Sequence, residues 1–152
     1  MLLSELLAPT RVKVPLAARD KEGVLRELVE LALPGRDPTT LADVLEAVRQ
    51  REELLSTGIG EGVGIPHAKT AAVDQVVMAA GVSHHGVEFD ALDGEPAHVF
   101  FMLLGPETAA AGHIKALSRI ARLLRREQLR ASLRSADTPE EFLRVVSSSE
   151  AA

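Results

Sequence analysis

The residue best suited to covalent chemistry near neutral pH is His67, which follows Pro66 at the end of a glycine-rich segment. A neutral imidazole nitrogen can act as a nucleophile and form a covalent intermediate. Pro66 has a fixed φ and favours extended backbone at the residue before it, so a stiff chain presents the imidazole. In the preceding segment every second residue is a glycine: Gly58, Gly60, Gly62 and Gly64.

This glycine segment leaves one face of the backbone bare, which permits the close approach of a ligand or of another chain. The amide groups of Gly58, Gly60 and Gly62 are therefore candidates to bind an anion such as a phosphoryl group. The segment matches neither the dinucleotide-binding fingerprint nor the Walker A loop. A bulged or closely packed strand is the alternative interpretation, because glycine also serves that purpose.

A phosphoryl group at His67 would need positive charge and hydrogen-bond donors nearby. Arg51 lies sixteen residues before His67, at the end of a predicted helix, and Ser56 and Thr57 offer hydroxyl groups. His113 lies at a predicted helix start, where free amide groups favour anions. The alternatives are an ion pair between Arg51 and a neighbouring glutamate, an ordinary loop at 56–57, and a surface position for His113.

Metal binding is a second chemistry open to these residues. His67 and His113 could ligate zinc together with Glu61, provided that all three reach one ion. The tract His84-His85-Gly86 resembles a metal-binding motif, but its glycine predicts a tight turn in which the two imidazoles diverge. We expect His98, at the start of an apolar strand, to be structural.

The composition excludes several other functions. The chain has 152 residues with 17 Lys and Arg against 22 Asp and Glu, a net charge of −5, and no Cys, Trp or Tyr. The lack of cysteine rules out disulfides, thiol nucleophiles and iron–sulfur clusters. An acidic chain whose only aromatic residues are four Phe is a poor nucleic-acid binder. No apolar run approaches the roughly 20 residues that span a bilayer, and no signal peptide is evident. We therefore expect a cytoplasmic protein that does not insert into membranes.

The hydrophobic pattern predicts one α/β domain over residues 1–152, in which helices flank both faces of a central mixed sheet of about four to five strands. The predicted strands cover residues 11–16, 76–83, 87–89 and 99–104. The predicted helices cover residues 20–33, 40 to about 55, and 112–134, and a last one starts at 139. Thr40 and Thr138 are the predicted N-caps of the second and last helices.

A combination of motifs runs along nearly the whole chain in order. The motifs are Arg51-Glu52, Ser56-Thr57-Gly58-Ile59-Gly60, Gly62-x-Gly64-Ile65-Pro66-His67-Ala68, Phe89, Asp93-Gly94, the apolar strand 99–104 and His113-Ile114. Together they resemble enzyme IIA of the fructose–mannitol class, from the bacterial phosphoenolpyruvate-dependent sugar phosphotransferase system. That class includes nitrogen-regulatory relatives. The chain departs from the usual pattern at Gly64, where alanine is common, and at Ile114, where leucine is common.

The resemblance implies that His67 accepts a phosphoryl group from the phosphocarrier protein HPr, with Nε2 as the accepting nitrogen. It implies that Arg51 assists at the phosphate and that His113 lies beside the active histidine. The phosphoryl group on histidine takes the place of a cofactor, and no metal is needed. A non-catalytic relative is disfavoured because all three residues are retained.

Two roles follow from the same chemistry. In the first, the phosphoryl group passes to a sugar-specific enzyme IIB. In the alternative, the phosphorylation state controls a partner such as a kinase or ion transporter, without sugar transport. The sequence contains no fused IIB or membrane segment, which slightly favours the regulatory expectation. It is also compatible with a homo-oligomer.

Overall fold

Six strands form one mixed sheet in this computed structural model, which describes residues 2–151. The strands are β1 (Val12–Lys13), β2 (Gly58–Gly60), β3 (Val63–Gly64), β4 (His67–Lys69), β5 (Val77–Val87) and β6 (Ala97–Gly105). The helices are α1 (Leu3–Leu6), α2 (Lys21–Ala32), α3 (Pro38–Leu54), α4 (Ala110–Leu123), α5 (Glu127–Arg134) and α6 (Pro139–Ala151). Within residues 2–151, none of these helices has the length and apolar character needed to cross a membrane.

Strand β6 organises the sheet. The strand order is β1-β5-β6-β3-β2, and β5 and β6 form a long antiparallel pair at its centre. On the other side of β6, β3 and β4 pair in parallel with successive parts of the strand, opposite residues 99–100 and 103–105 respectively. This arrangement places His67, the first residue of β4, at an edge of the sheet.

Helices cover both faces of the sheet, as predicted. Alternate residues of β6 face opposite sides of the sheet. Phe101 and Leu103 pack with Ile120 and Phe142 of α4 and α6, while Phe100, Met102 and Leu104 belong to the cluster formed with α2 and α3. Every residue of β6 is buried, because a sheet with two covered faces has no solvent-exposed side. The sheet has six strands, one more than the upper end of the predicted number.

The predicted turn at His84-His85-Gly86 is wrong. These residues lie inside β5, whose register against β6 shifts between Val82 and Val87. Gly86 adopts a φ of +86°, and its amide group donates to the Ser83 hydroxyl at 3.2 Å. Gly86 therefore lies in a β-bulge, and the strand continues in the same direction. The separate strand predicted at 87–89 does not form: Val87 is the last residue of β5, and residues 88–89 lie outside the sheet.

Two other local predictions need correction. Helix α3 begins after Asp37, whose carboxylate accepts from the Thr40 amide at 2.9 Å, so Asp37 and not Thr40 is the N-cap. The helix predicted over 112–134 is two helices, because the Arg130 guanidinium donates to the carbonyl oxygens of Leu124 and Arg125 at the end of α4. The predicted strand at 11–16 is reduced to the two residues of β1.

The cap at Thr138 is confirmed: its hydroxyl accepts from the amide of Glu141 at 3.1 Å.

Candidate functional site

The glycine segment forms a short hairpin that leads into β4. Strands β2 and β3 are antiparallel, and their turn contains Gly60 and Gly62 at φ values of +91° and +78°. Glu61 between them also has a positive φ, and its amide donates to the Asp93 carboxylate at 3.0 Å. Glycine at these two positions removes the strain that a side chain would impose on such backbone. The hairpin directs the chain into β4, where His67 begins.

His67 is held by its own backbone neighbour. Its Nδ1 lies 2.8 Å from the carbonyl oxygen of Ile65. A ring nitrogen that faces a carbonyl oxygen must carry the proton, so in neutral His67 the lone pair is on Nε2. Burial lowers the pKa of the imidazole, and the Arg51 guanidinium lowers it further, against the opposing effects of the Ile65 hydrogen bond and of Glu52. Near neutral pH the ring is thus in its nucleophilic form.

An open cavity of about 580 Å³ adjoins His67 at this edge of the sheet, between α3 and α4. Among residues 2–151, those that line it include no carboxylate; they are Ala47, Gln50, Arg51, Leu54, His67, Ala68, Lys69, His113 and Leu117. Arg51 and Lys69 are its two cationic groups. A cavity with two cations and no acid suits an anionic ligand.

Arg51 lies in the last turn of α3, and its side chain points toward the C-terminal end of that helix. Its Nη1 donates to the carbonyl oxygen of Leu55 at 2.8 Å. Within residues 2–151, no carboxylate lies within ion-pair distance of its guanidinium, so the alternative of an ion pair with a neighbouring glutamate is not realised. The remaining N–H groups of the planar fork are therefore available to a phosphate.

His113 belongs to the fourth position of α4 and is buried, with 4% of its surface exposed. Its ring centroid lies 5.7 Å from that of His67. Its backbone amide donates to Ala109, so it does not offer the free helix-start amide that we predicted. Its Nδ1 is buried without a hydrogen-bond partner in the described part of the chain.

The charge state of His113 follows from this environment. Burial, then the nearby His67 and Lys69, lower the pKa of the imidazole to about 4, so the ring is neutral at pH 7. A neutral ring carries one proton, and a buried Nδ1 without an acceptor favours placing it on Nε2. Nε2–H is then a donor that can serve the cavity. The ring fits because residue 105 is glycine: a Cβ there would lie 2.9 Å from Nδ1 of His113.

Comparison with known proteins places the chain in a family. The family model described as "Phosphoenolpyruvate-dependent sugar phosphotransferase system, EIIA 2" matches residues 5–149. The chain belongs to this family. It is 38% identical over 146 residues to the fructose-specific EIIABC component of Bacillus subtilis, covering 96% of this chain but only 23% of that protein. It is 36% identical over 137 residues to a nitrogen regulatory protein of Bradyrhizobium diazoefficiens, covering 89% of this chain and 88% of that protein.

A solved structure supports the same placement. The nitrogen regulatory protein IIA-Ntr from Neisseria meningitidis superposes with a TM-score of 0.86 at 33% identity, covering 95% of this chain and 98% of that one. The family that we expected from the resemblance and the α/β fold that we expected from the hydrophobic pattern are both confirmed.

The structure does not bring the other predicted phosphate-binding residues to the cavity. The Ser56 hydroxyl donates to the carbonyl oxygen of Phe89 and accepts from the amide of Gly58. Thr57 donates its amide and its hydroxyl to the Glu52 carboxylate. These contacts, together with the hairpin turn at Gly60 and Gly62, shape the segment that leads to His67. Phosphate support from Ser56, Thr57, Gly58, Gly60 and Gly62 stays a prediction.

Glu52 and Lys69 are two residues that the sequence reasoning did not single out. The Glu52 side chain is 5% exposed, and its Oε1 lies 2.9 Å from Lys21 Nζ, so it joins the end of α3 to α2 and to the loop at Thr57. The signal for Lys69 was present, since residues i and i+2 of a strand share a face. The side chains of Lys69 and His67 therefore lie on the same face of β4.

The alternative of a zinc site finds no support in the geometry. The exposed Glu61 carboxylate lies 3.4 Å from Arg130, and within residues 2–151 no three His, Asp or Glu side chains converge to hold a metal. His98 and His84 each place a ring nitrogen against a backbone carbonyl oxygen, of Ser83 and Ala136 respectively. Both are therefore structural.

Proposed function

We propose that the protein is a phosphohistidine carrier, which accepts a phosphoryl group from phospho-HPr on Nε2 of His67 and passes it to an enzyme IIB. One observation carries the proposal: the Nδ1 hydrogen bond to Ile65 leaves the Nε2 lone pair free beside a cavity with two cations and no carboxylate. Membership of the enzyme IIA family supports the same chemistry.

The transfer is an in-line displacement at phosphorus. A bond forms between His67 Nε2 and phosphorus, while the phosphorus–nitrogen bond to the donor imidazole breaks and leaves its electron pair on that nitrogen. Negative charge spreads over the three equatorial oxygens, and positioning and electrostatics supply most of the catalysis. Arg51 offers a fork that matches two of these oxygens, and His113 offers Nε2–H.

His67 becomes cationic when Nε2 is phosphorylated, because Nδ1 keeps its proton. The carbonyl oxygen of Ile65, 2.8 Å from Nδ1, accepts a hydrogen bond that strengthens as the ring gains charge. Buried Glu52 also favours the cationic ring, since its charge acts to raise the pKa of His67. These two groups offset part of the cost that burial and the Arg51 guanidinium impose on the cationic ring.

The rim of the cavity suits a protein donor rather than a small molecule. Leu54 of α3 and Leu117 of α4 line the cavity, and Leu54 is 82% exposed. Ile114, which follows His113 on α4, is 64% exposed. Large exposed apolar side chains around a polar centre are typical of protein interaction sites. A partner that covers this rim would bring its own phosphohistidine to His67 and exclude water from the transfer.

A regulatory role is the second candidate, and the relatives favour it as directly as the first. The nitrogen regulatory protein and the fructose-specific component match this chain at 36% and 38% identity. In this role phospho-His67 forms in the same way, but its level controls a partner kinase or transporter. The cytoplasmic location and the oligomeric state stay predictions in either case.

Phosphorylation by the upstream proteins tests the proposal. The protein is incubated with labelled phosphoenolpyruvate, the first enzyme of the system and HPr. We expect an acid-labile, base-stable phosphate in the wild type and in His85→Ala, which removes an exposed histidine, and none in His67→Ala. Absence of label in the wild type, or equal label in His67→Ala, would refute the proposal. Onward transfer to a purified enzyme IIB then separates the sugar-transport role from the regulatory role.

A further inference from the structure

Lys69 shares the sheet face of His67 and His113. It is two residues after His67 on β4, so both side chains leave the same side of the strand. Lys69 is paired with Gly105 of β6, and directly paired residues also point to one side. A Cβ on Gly105 would point at His113 Nδ1, only 2.9 Å away. The pairing therefore fixes the side of the sheet on which the Lys69 chain emerges.

The Lys69 ammonium group is free to bind an anion. The side chain is exposed and lines the cavity, and within residues 2–151 no carboxylate lies within ion-pair distance of it. Other lysines near the sheet differ: Lys13 and Lys21 are both paired with glutamates. Electrostatic contact with the site is direct, because Lys69, after burial and His67, also lowers the pKa of His113.

Arg51 and Lys69 reach the cavity from different directions. Arg51 extends from the end of α3, while Lys69 emerges from β4 on the face that carries α4 and His113. A phosphoryl group in transit carries charge on three equatorial oxygens, and the planar fork of one arginine matches only two of them. An ammonium group acts as a compact point charge with three rotatable donors, which suits a single remaining oxygen.

We propose that Lys69 is a further catalytic residue, whose ammonium group binds an equatorial oxygen of the phosphoryl group during transfer to and from Nε2 of His67. This inference rests on the proposed phosphoryl transfer. Lys69 forms no covalent bond: the phosphorus–nitrogen bond to the donor breaks and the bond to His67 forms as described above. Its contribution is a charge-assisted hydrogen bond that strengthens as charge collects on the oxygens.

Three variants separate the charge of Lys69 from its size and from general surface charge. Lys69→Met removes the charge and keeps the length, and Lys69→Arg keeps the charge. Lys115→Met is the matched control, since Lys115 is an exposed lysine two residues beyond His113 that does not line the cavity. We expect single-turnover transfer from phospho-HPr to slow about 10- to 100-fold in Lys69→Met, the loss of one hydrogen bond to a charged group. Lys69→Arg should retain most of the rate, and Lys115→Met nearly all of it.

Titration of the phosphorylated protein gives a readout that a merely structural role would not change. The ³¹P signal of phospho-His67 reports the ionisation of the phosphohistidine group, and an adjacent ammonium favours its more negative form. We therefore expect the pKa of that ionisation to rise in Lys69→Met and to stay near the wild-type value in Lys69→Arg and Lys115→Met.

The two proposals fail in distinguishable ways. If the wild type is labelled at His67 and Lys69→Met matches it in both rate and ³¹P titration, the role of Lys69 is refuted while the carrier function stands. If the wild type takes up no label, the carrier function is refuted and the role of Lys69 with it.

Discussion

Replacing Gly105 by alanine should displace His113 from its position beside His67. Gly105 is the last residue of β6, and the side of it that would carry a Cβ faces the ring of His113. A methyl group at this position would come within 2.9 Å of Nδ1, whereas an ordinary contact is 3.4 Å or more. The imidazole must therefore move by about half an ångström, since overpacking in a buried site is relieved only by shifts of its neighbours.

The magnitude follows from how closely the ring is enclosed. His113 is only 4% exposed, so it has little room to move, and overpacking of this kind costs about 1–3 kcal/mol. For a chain of about 150 residues each kcal/mol lowers Tm by about 2–4 °C. A misplacement of 1 Å near reacting groups costs about 100-fold in rate, so a shift of half that size should slow phosphoryl transfer about 10-fold.

A second glycine provides the matched control. Gly112 is the third residue of α4, and a Cβ there would meet only Val76 Cγ2, at an ordinary 3.7 Å. Gly112→Ala should stabilise the protein by about 0.5–1 kcal/mol through helix propensity and leave transfer unchanged. Thermal unfolding and single-turnover transfer from phospho-HPr, measured on both variants, test the pair. If Gly105→Ala keeps the wild-type Tm and transfer rate, the ring of His113 does not depend on the space left by Gly105, and this account is wrong.

Three further predictions concern the charged groups of the site. Acidification from pH 7 to 4 should lower the free energy of unfolding by up to about 3 kcal/mol. The pKa of His113 is about 4 in the folded protein against a reference value of 6.5. The unfolded chain therefore binds the proton first, and stability falls as the pH drops through this window. Urea unfolding of the wild type and of His113→Gln over this pH range measures the loss of stability. Parallel pH profiles for the two proteins would contradict the prediction. Glu52→Ala should cost about 1–3 kcal/mol in unfolding free energy, because the amide and hydroxyl of buried Thr57 lose their acceptor while Lys21 keeps Asp90 as a partner; a loss below about 0.5 kcal/mol would refute this role. Arg51→Lys should slow transfer about 10-fold because lysine lacks the planar fork, and wild-type transfer by this variant would exclude bidentate binding.

The sequence predicted the layers and singled out the histidine that adjoins the cavity because those inferences depend on strong local signals. Apolar alternation along β6 and the helical periodicity of α2 and α3 determine which faces are buried, and both survive in the structure. The Pro66-His67 pair after alternate glycines marked the histidine, and the motifs around it indicated the family. Each of these signals lies within a few residues of the feature it predicts.

The sequence failed where a tertiary contact decides local structure. The glycine of His84-His85-Gly86 signals a turn, but pairing of β5 with β6 on both sides converts it into a bulge. No glycine or proline marks the break between α4 and α5. The Arg130 guanidinium of α5 donates hydrogen bonds to the carbonyl oxygens of Leu124 and Arg125 at this break. The position of the His113 ring depends on the absence of a side chain at Gly105, eight residues earlier on β6. No sequence motif connects these two residues.

The nitrogen of His67 that carries the phosphoryl group is the most direct test of the account. Phosphorylated protein labelled with ¹⁵N-histidine would be compared with the unphosphorylated form by NMR, using His67→Ala to assign the signals. The hydrogen bond from Nδ1 to the carbonyl oxygen of Ile65 predicts phosphorus coupling at Nε2 of His67 and a retained proton on Nδ1. Phosphorus coupling at Nδ1, or at another histidine, would contradict the account.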